Sequence, residues 1–133
     1  MIISEEKKEE NKIFIDLICN NLMKQEDVKY KELNELFNIL SYTNNENENT
    51  YINQFLNNIK LYYNQRVFFL KNKKNFIHLS NIMNHIYIKN RTNYYIVNTI
   101  IEISQKIKCE NNYLYKIIRK KNQYLAQKHY GRN

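Results

Sequence analysis

A mainly helical single domain is the fold this chain predicts, with about six helices and one β-hairpin inserted between the third and the fourth. Three observations point there. Apolar side chains recur every three to four residues through most of the chain, the spacing of an amphipathic helix. One glycine and no proline leave few helix breakers. Around residues 61–79 the helical period gives way to aromatic and β-branched runs on either side of a polar break. The 133 residues are enough to bury roughly two-thirds of the unfolded surface. A core of that size needs neither a disulfide nor a metal.

Residues 1–10 are acidic (Glu5, Glu6, Glu9, Glu10) and are expected to form a flexible amino terminus. Residues 11–24 then carry Phe14, Leu17, Ile18 and Leu22 at helical spacing. A second helix places Leu33, Leu36, Phe37 and Leu40 on one stripe. Residues 41–50 are polar and read as a loop. The third helix holds Tyr51, Ile52, Phe55, Leu56 and Ile59. Residues 61–70 and 76–79 predict the two strands of the hairpin, with the basic run Lys71-Asn72-Lys73-Lys74-Asn75 at its tip. Ser80 is the expected N-cap of a helix carrying Ile82, Met83, Ile86 and Tyr87. Residues 89–93 break it. A long helix from about 94 to 108 follows, with Val97, Ile100, Ile101, Ser104 and Ile107 inward. The last helix has Leu114, Ile117, Ile118 and Leu125 on one side and Lys116, Arg119, Lys120 and Gln123 on the other.

Charge divides the chain. Residues 1–60 contain seven lysines and eleven acids, a balance of −4, whereas residues 61–133 contain fourteen Lys and Arg against Glu102 and Glu110 alone, a balance of +12. Asn, Lys, Ile and Tyr dominate the composition, which is the signature of an AT-rich coding sequence and would inflate lysine everywhere. Glutamate codons are AT-rich as well, so that bias does not account for the asymmetry. A basic half interspersed with tyrosines is the pattern of a polyanion-binding surface. Tyr62, Tyr63, Tyr94, Tyr95, Tyr113, Tyr115, Tyr124 and Tyr130 lie within it. Taken one at a time, each is expected to fill the core rather than to stack on a base.

Reactive groups do not converge. His78, His85 and His129 have no ligand spacing with one another or with Cys19 and Cys109. Cys109 with His129 is the only nucleophile–base pair worth weighing, and Gly131 alone cannot make a phosphate-cradling loop. The expectation is a protein that is not an enzyme and takes no cofactor, metal or small-molecule substrate. Two unpaired cysteines suit a reducing compartment. No apolar run approaches the roughly 20 residues of a spanning helix, and the acidic start is not a basic transit peptide.

The element order, together with several local motifs, resembles the family of small-subunit ribosomal protein seven of the bacterial and plastid type. Ile13-Phe14-Ile15-Asp16-Leu17-Ile18-Cys19-Asn20-Asn21-Leu22-Met23-Lys24 is similar to the family's first helix. Phe55-Leu56-Asn57-Asn58-Ile59-Lys60-Leu61 and Gln65-Arg66-Val67-Phe68-Phe69-Leu70-Lys71-Asn72 match the helix that leads into its hairpin. Phe76-Ile77-His78 takes the place of its Q-V-P, and the closing Ala126-Gln127-Lys128-His129-Tyr130 resembles its A-N-[KR]-A-F-A-H-[YF]. Paired arginines and two glycines of the family hairpin are replaced by Phe68-Phe69 and Lys71-Asn72, and the family's basic amino-terminal arm is acidic here.

The resemblance implies a structural protein of the subunit head that binds the 3′ major domain of small-subunit ribosomal RNA. It implies neighbouring ribosomal proteins as partners, a hairpin facing the exit-site transfer RNA, and a plastid ribosome of the apicoplast kind, or otherwise a cytoplasmic location. By position, Arg66 stands for the family's hairpin lysine and Lys128 for the basic residue of its closing signature. Lys71, Lys73, Lys74, Lys89, Arg91, Lys116, Arg119, Lys120 and Arg132 are RNA-binding candidates from the charge pattern itself. Two other functions fit the same composition: a helical adaptor for a protein partner, and a nucleic-acid-binding factor outside the ribosome.

Overall fold

Ser4 begins the first helix. Its hydroxyl accepts from the Lys7 backbone N–H at 3.1 Å, and Glu5 and Glu6 occupy the positive end of the helix dipole. In the computed structural model, which describes residues 4–24, 26–41, 50–63 and 68–109, helix α1 therefore runs Glu5–Met23. Residues 5–10, expected to be flexible, form its opening turns. Its buried stripe is Asn11, Ile15, Ile18, Cys19, Leu22 and Met23. Of the apolar set expected to face inward, Leu17 lies in the open and Phe14 is only half-buried.

Helix α2 (Tyr30–Ser41) starts where the Glu32 side chain accepts from the Lys29 N–H at 3.0 Å. It buries Leu33, Leu36, Ile39 and Leu40. Helix α3 (Thr50–Tyr63) buries all five residues the sequence assigns to it, together with Tyr63. The polar loop between these helices is outside the described residues except at its ends.

The hairpin is not found. Residues 76–79, its expected second strand, lie inside helix α4 (Lys73–Lys89). Asn72 caps that helix by accepting from the Asn75 N–H at 3.2 Å. The physical reason is in the tip: Lys71-Asn72-Lys73-Lys74-Asn75 has no glycine to supply the positive φ that tight hairpin turns favour, whereas Asn72 is a good cap. The stripe of Ile82, Met83 and Ile86 then extends back to Phe76 and Leu79, all buried. Ser80, expected to start this helix, is in its middle and bonds back to the Phe76 carbonyl at 2.8 Å.

A turn at residues 90–93 separates α4 from α5 (Tyr94–Lys106), as expected, with Asn93 capping through the Ile96 N–H. The helix, expected to run to about 108, stops at Lys106, and Ile107 is extended and buried because it starts a strand. Strand β1 (Phe68–Leu70) pairs in parallel with β2 (Ile107–Cys109), Phe68 opposite Ile107 and Leu70 opposite Cys109. What the sequence offers as a local hairpin is thus a long-range pair closed by α4 and α5. Five helices are present among the described residues; the expected sixth falls in 110–133, outside them.

Side-chain bonds set α1 and α3 parallel: Asn11 to Tyr51, Asp16 to Asn58, Asn20 to Tyr62. Helix α1 also packs on α2 and α4, and α5 lies against α3 and α4. One continuous apolar core joins all five helices, with Ile18, Leu36, Phe55, Phe76, Ile82 and Ile103 among its members.

Candidate nucleic-acid interface

Of the cations singled out from the sequence, Lys71, Lys73, Lys74, Lys89 and Arg91 are described, and all are exposed. Helix α4 sorts them into two groups. Lys71, Lys73 and Lys74 surround its N-terminus; Lys89 closes its last turn and Arg91 follows in the turn to α5. With a rise of 1.5 Å per residue, the two groups stand about 24 Å apart along the axis. They form two basic ends rather than one patch. Arg66, Lys116, Arg119, Lys120, Lys128 and Arg132 fall outside the described residues.

Helix starts differ along the chain, and α3 (Thr50–Tyr63) already lacks an acid in its first turn. Helices α1 and α2 have Glu5, Glu6 and Glu32 in their first turns, as the dipole favours. Helices α4 and α5 have no acid there, and α4 opens instead on Lys73 and Lys74. No Asp or Glu occurs anywhere from 49 to 101. The ion pairs among the described residues join Lys8 to Glu5 and Lys60 to Glu102.

The tyrosines divide in a way that the sequence had only partly signalled. Tyr51, Tyr63 and Tyr87 are buried, as core fillers should be. Tyr94 and Tyr95 are 58% and 52% exposed, a few residues along the chain from Lys89 and Arg91. The periodicity did hold the clue. At 100° per residue, Tyr94 and Tyr95 each point roughly 130° away from the centre of the α5 stripe, on opposite flanks.

Titratable groups near the basic ends are muted. Burial, with Lys74 adding to it, holds the His78 imidazole below its ordinary value; burial and then Lys89 do the same for His85. Tyr30 meets His78 edge-on, and His85 Nε2 shares a 2.8 Å hydrogen bond with Ser41 Oγ. Burial pushes the Cys19 thiol up to about 12, so it is protonated at neutral pH. His129, the base weighed against Cys109, is outside the described residues. Among the described residues, no cluster of His, Cys, Asp and Glu could hold a metal, and no helix is long and apolar enough to cross a membrane.

Helices α1 and α3 border an open groove lined by Asp16, Asn20, Asn58 and Tyr62, among others. Its polar groups are engaged: Asp16 accepts from Gln54 at 2.9 Å and from Asn58 at 2.6 Å. Ile13, Leu17 and Leu61 stand exposed along it. No protein-family model, curated protein or solved structure matches the chain.

Proposed function

We propose that this protein binds RNA by neutralising phosphates, catalyses no reaction, and serves as a structural protein of the small ribosomal subunit. The observation that carries the RNA reading is the pairing of exposed cations at both ends of α4 with the absence of any acid from 49 to 101. Lysines at a helix N-terminus oppose its dipole, each at a cost of about 0.3–1 kcal/mol. A phosphate docked there reverses the sign of that interaction. Two basic ends about 24 Å apart suit contacts to separate strands or helices of a folded RNA, recognised by shape.

The ribosomal assignment rests on the family resemblance in residues 11–133. With residues 76–79 helical, an arm reaching toward transfer RNA has no place in it.

Binding of the full chain to a structured RNA at two salt concentrations tests the first part. A protein making several phosphate contacts loses orders of magnitude in affinity between about 50 and 200 mM salt. Absence of binding at the lower concentration would sink the proposal. Comigration with small subunits on a sucrose gradient tests the ribosomal part. The exposed Ile13, Leu17 and Leu61 favour a second reading, a helical adaptor docking a protein partner on α1 and α3. That reading predicts complex formation that is insensitive to salt and lost in Leu17→Lys.

A further inference from the structure

We infer that the turn joining α4 to α5 is a stacking platform for unpaired RNA bases, with Tyr94 and Tyr95 as the stacking rings and Lys89 and Arg91 as the phosphate contacts. This inference rests on the RNA-binding reading and specifies which part of the RNA meets this end of the molecule.

Core packing does not use these two rings. Helix α5 buries Ile96, Val97, Thr99, Ile100, Ile103 and Ser104, and both tyrosines lie on the same helix with more than half their surface in solvent. Ile88, on the last turn of α4, is likewise 53% exposed. Exposed aromatic surface next to cations, with no acid in the flanking sequence to compete for them, matches both halves of a nucleotide: a flat apolar base and an anionic phosphate. Duplex RNA keeps its bases stacked on one another and offers such rings nothing. A single-stranded or looped-out base gains a stacking partner. Because the two rings lie on opposite flanks of the α5 stripe, they would take two separate bases rather than sandwich one. The short turn, held by the Asn93 N–H to the Asn90 carbonyl at 3.0 Å and by the Asn93 cap, fixes the rings relative to Lys89 and Arg91 before RNA arrives.

The test compares the full chain with Tyr94→Ala/Tyr95→Ala and Tyr94→Phe/Tyr95→Phe, using fluorescence anisotropy against a labelled oligouridine and an RNA duplex of equal length. The alanine pair, losing two stacked bases, should lose at least roughly 30-fold in affinity for the single strand and keep its duplex affinity, while the phenylalanine pair keeps both. Unchanged single-strand binding by the alanine pair, or an equal loss on both probes, overturns the inference. So does loss of binding to phosphatidylserine vesicles with RNA binding intact, which would assign the patch to a lipid surface. Wild-type protein that binds neither RNA sinks the RNA-binding reading itself, a different result from wild-type binding that ignores the tyrosines. As a check independent of variant folding, photocrosslinking to a 4-thiouridine oligonucleotide should yield adducts at Tyr94 or Tyr95. Adducts confined to other residues overturn the inference.

Discussion

Asn75 shows how a single polar side chain can tie two helices together. It is 1% exposed and donates to the Leu22 and Glu26 carbonyls at 3.3 and 2.9 Å, joining the end of α1 to the start of α4. Leu22 lies in the last turn of α1, where carbonyls lack intrahelical donors, and Glu26 in the connection that follows. Asn75→Ala should cost about 1–3 kcal/mol, read as a lowered urea midpoint; an unchanged midpoint would mean that water replaces the amide. Cys19 makes a chemical prediction. Its thiol, pushed up to about 12 by burial, should resist iodoacetamide at mildly alkaline pH in a Cys109→Ser background and react once urea unfolds the chain. The imidazoles predict a pH response. His78 and His85 are held below 6.5 in the folded state, by burial first and by Lys74 and Lys89 second. The unfolded chain accepts those protons at higher pH, so the stability present above about 6.5 is lost as pH falls through the folded values. The urea midpoint should drop between pH 7 and pH 5, and the drop should shrink in His78→Gln/His85→Gln. An equal drop in that variant would assign the effect to other groups.

Helix α4 is the element where sequence and structure part. Residues 61–79 have strand-like composition, and a hairpin could be drawn through them by local propensity alone. A strand gains only if its apolar face is covered, and the α1–α2–α3 core offers a helical groove to Phe76, Leu79, Ile82, Met83 and Ile86 instead. The same helix separates function from stability by sign. Lys73→Glu/Lys74→Glu places acids at the positive end of the dipole and should raise stability by a few tenths to about 1 kcal/mol per site, while weakening RNA binding. Thermal melting and anisotropy on one variant give both readings. A variant that is more stable and binds RNA as tightly as wild type would show the lysines to be a solvated face. Of the candidate site, the lysines and arginines were legible in the sequence, because charge needs no tertiary information. Their division into two ends was not, since it depends on residues 73–89 being one rod.

Across the whole molecule, α1 contacts α2, α3 and α4, and α5 completes the core against α3 and α4. Phe55, fully buried at the heart of α3, should cost about 3–5 kcal/mol when replaced by alanine. With every helix sharing one core, unfolding of the wild-type chain should be a single transition, with circular dichroism and tyrosine fluorescence coincident in urea. Curves with separate midpoints would show that the two halves fold independently. From its sequence, this protein is committed to a helix at 11–24, to helices across 33–40 and 51–59, to one from about 94 whose expected end at 108 is two residues too far, to a break at 89–93, and to a basic second half. Each of these is a local property, written in apolar period, capping residues and charge count. Tertiary structure decided that the strand-like run at 76–79 packs as helix and that β1 pairs with β2 across the length of α4 and α5. Those outcomes depend on which surface is left uncovered once the other helices have packed, and no window of neighbouring residues contains that information.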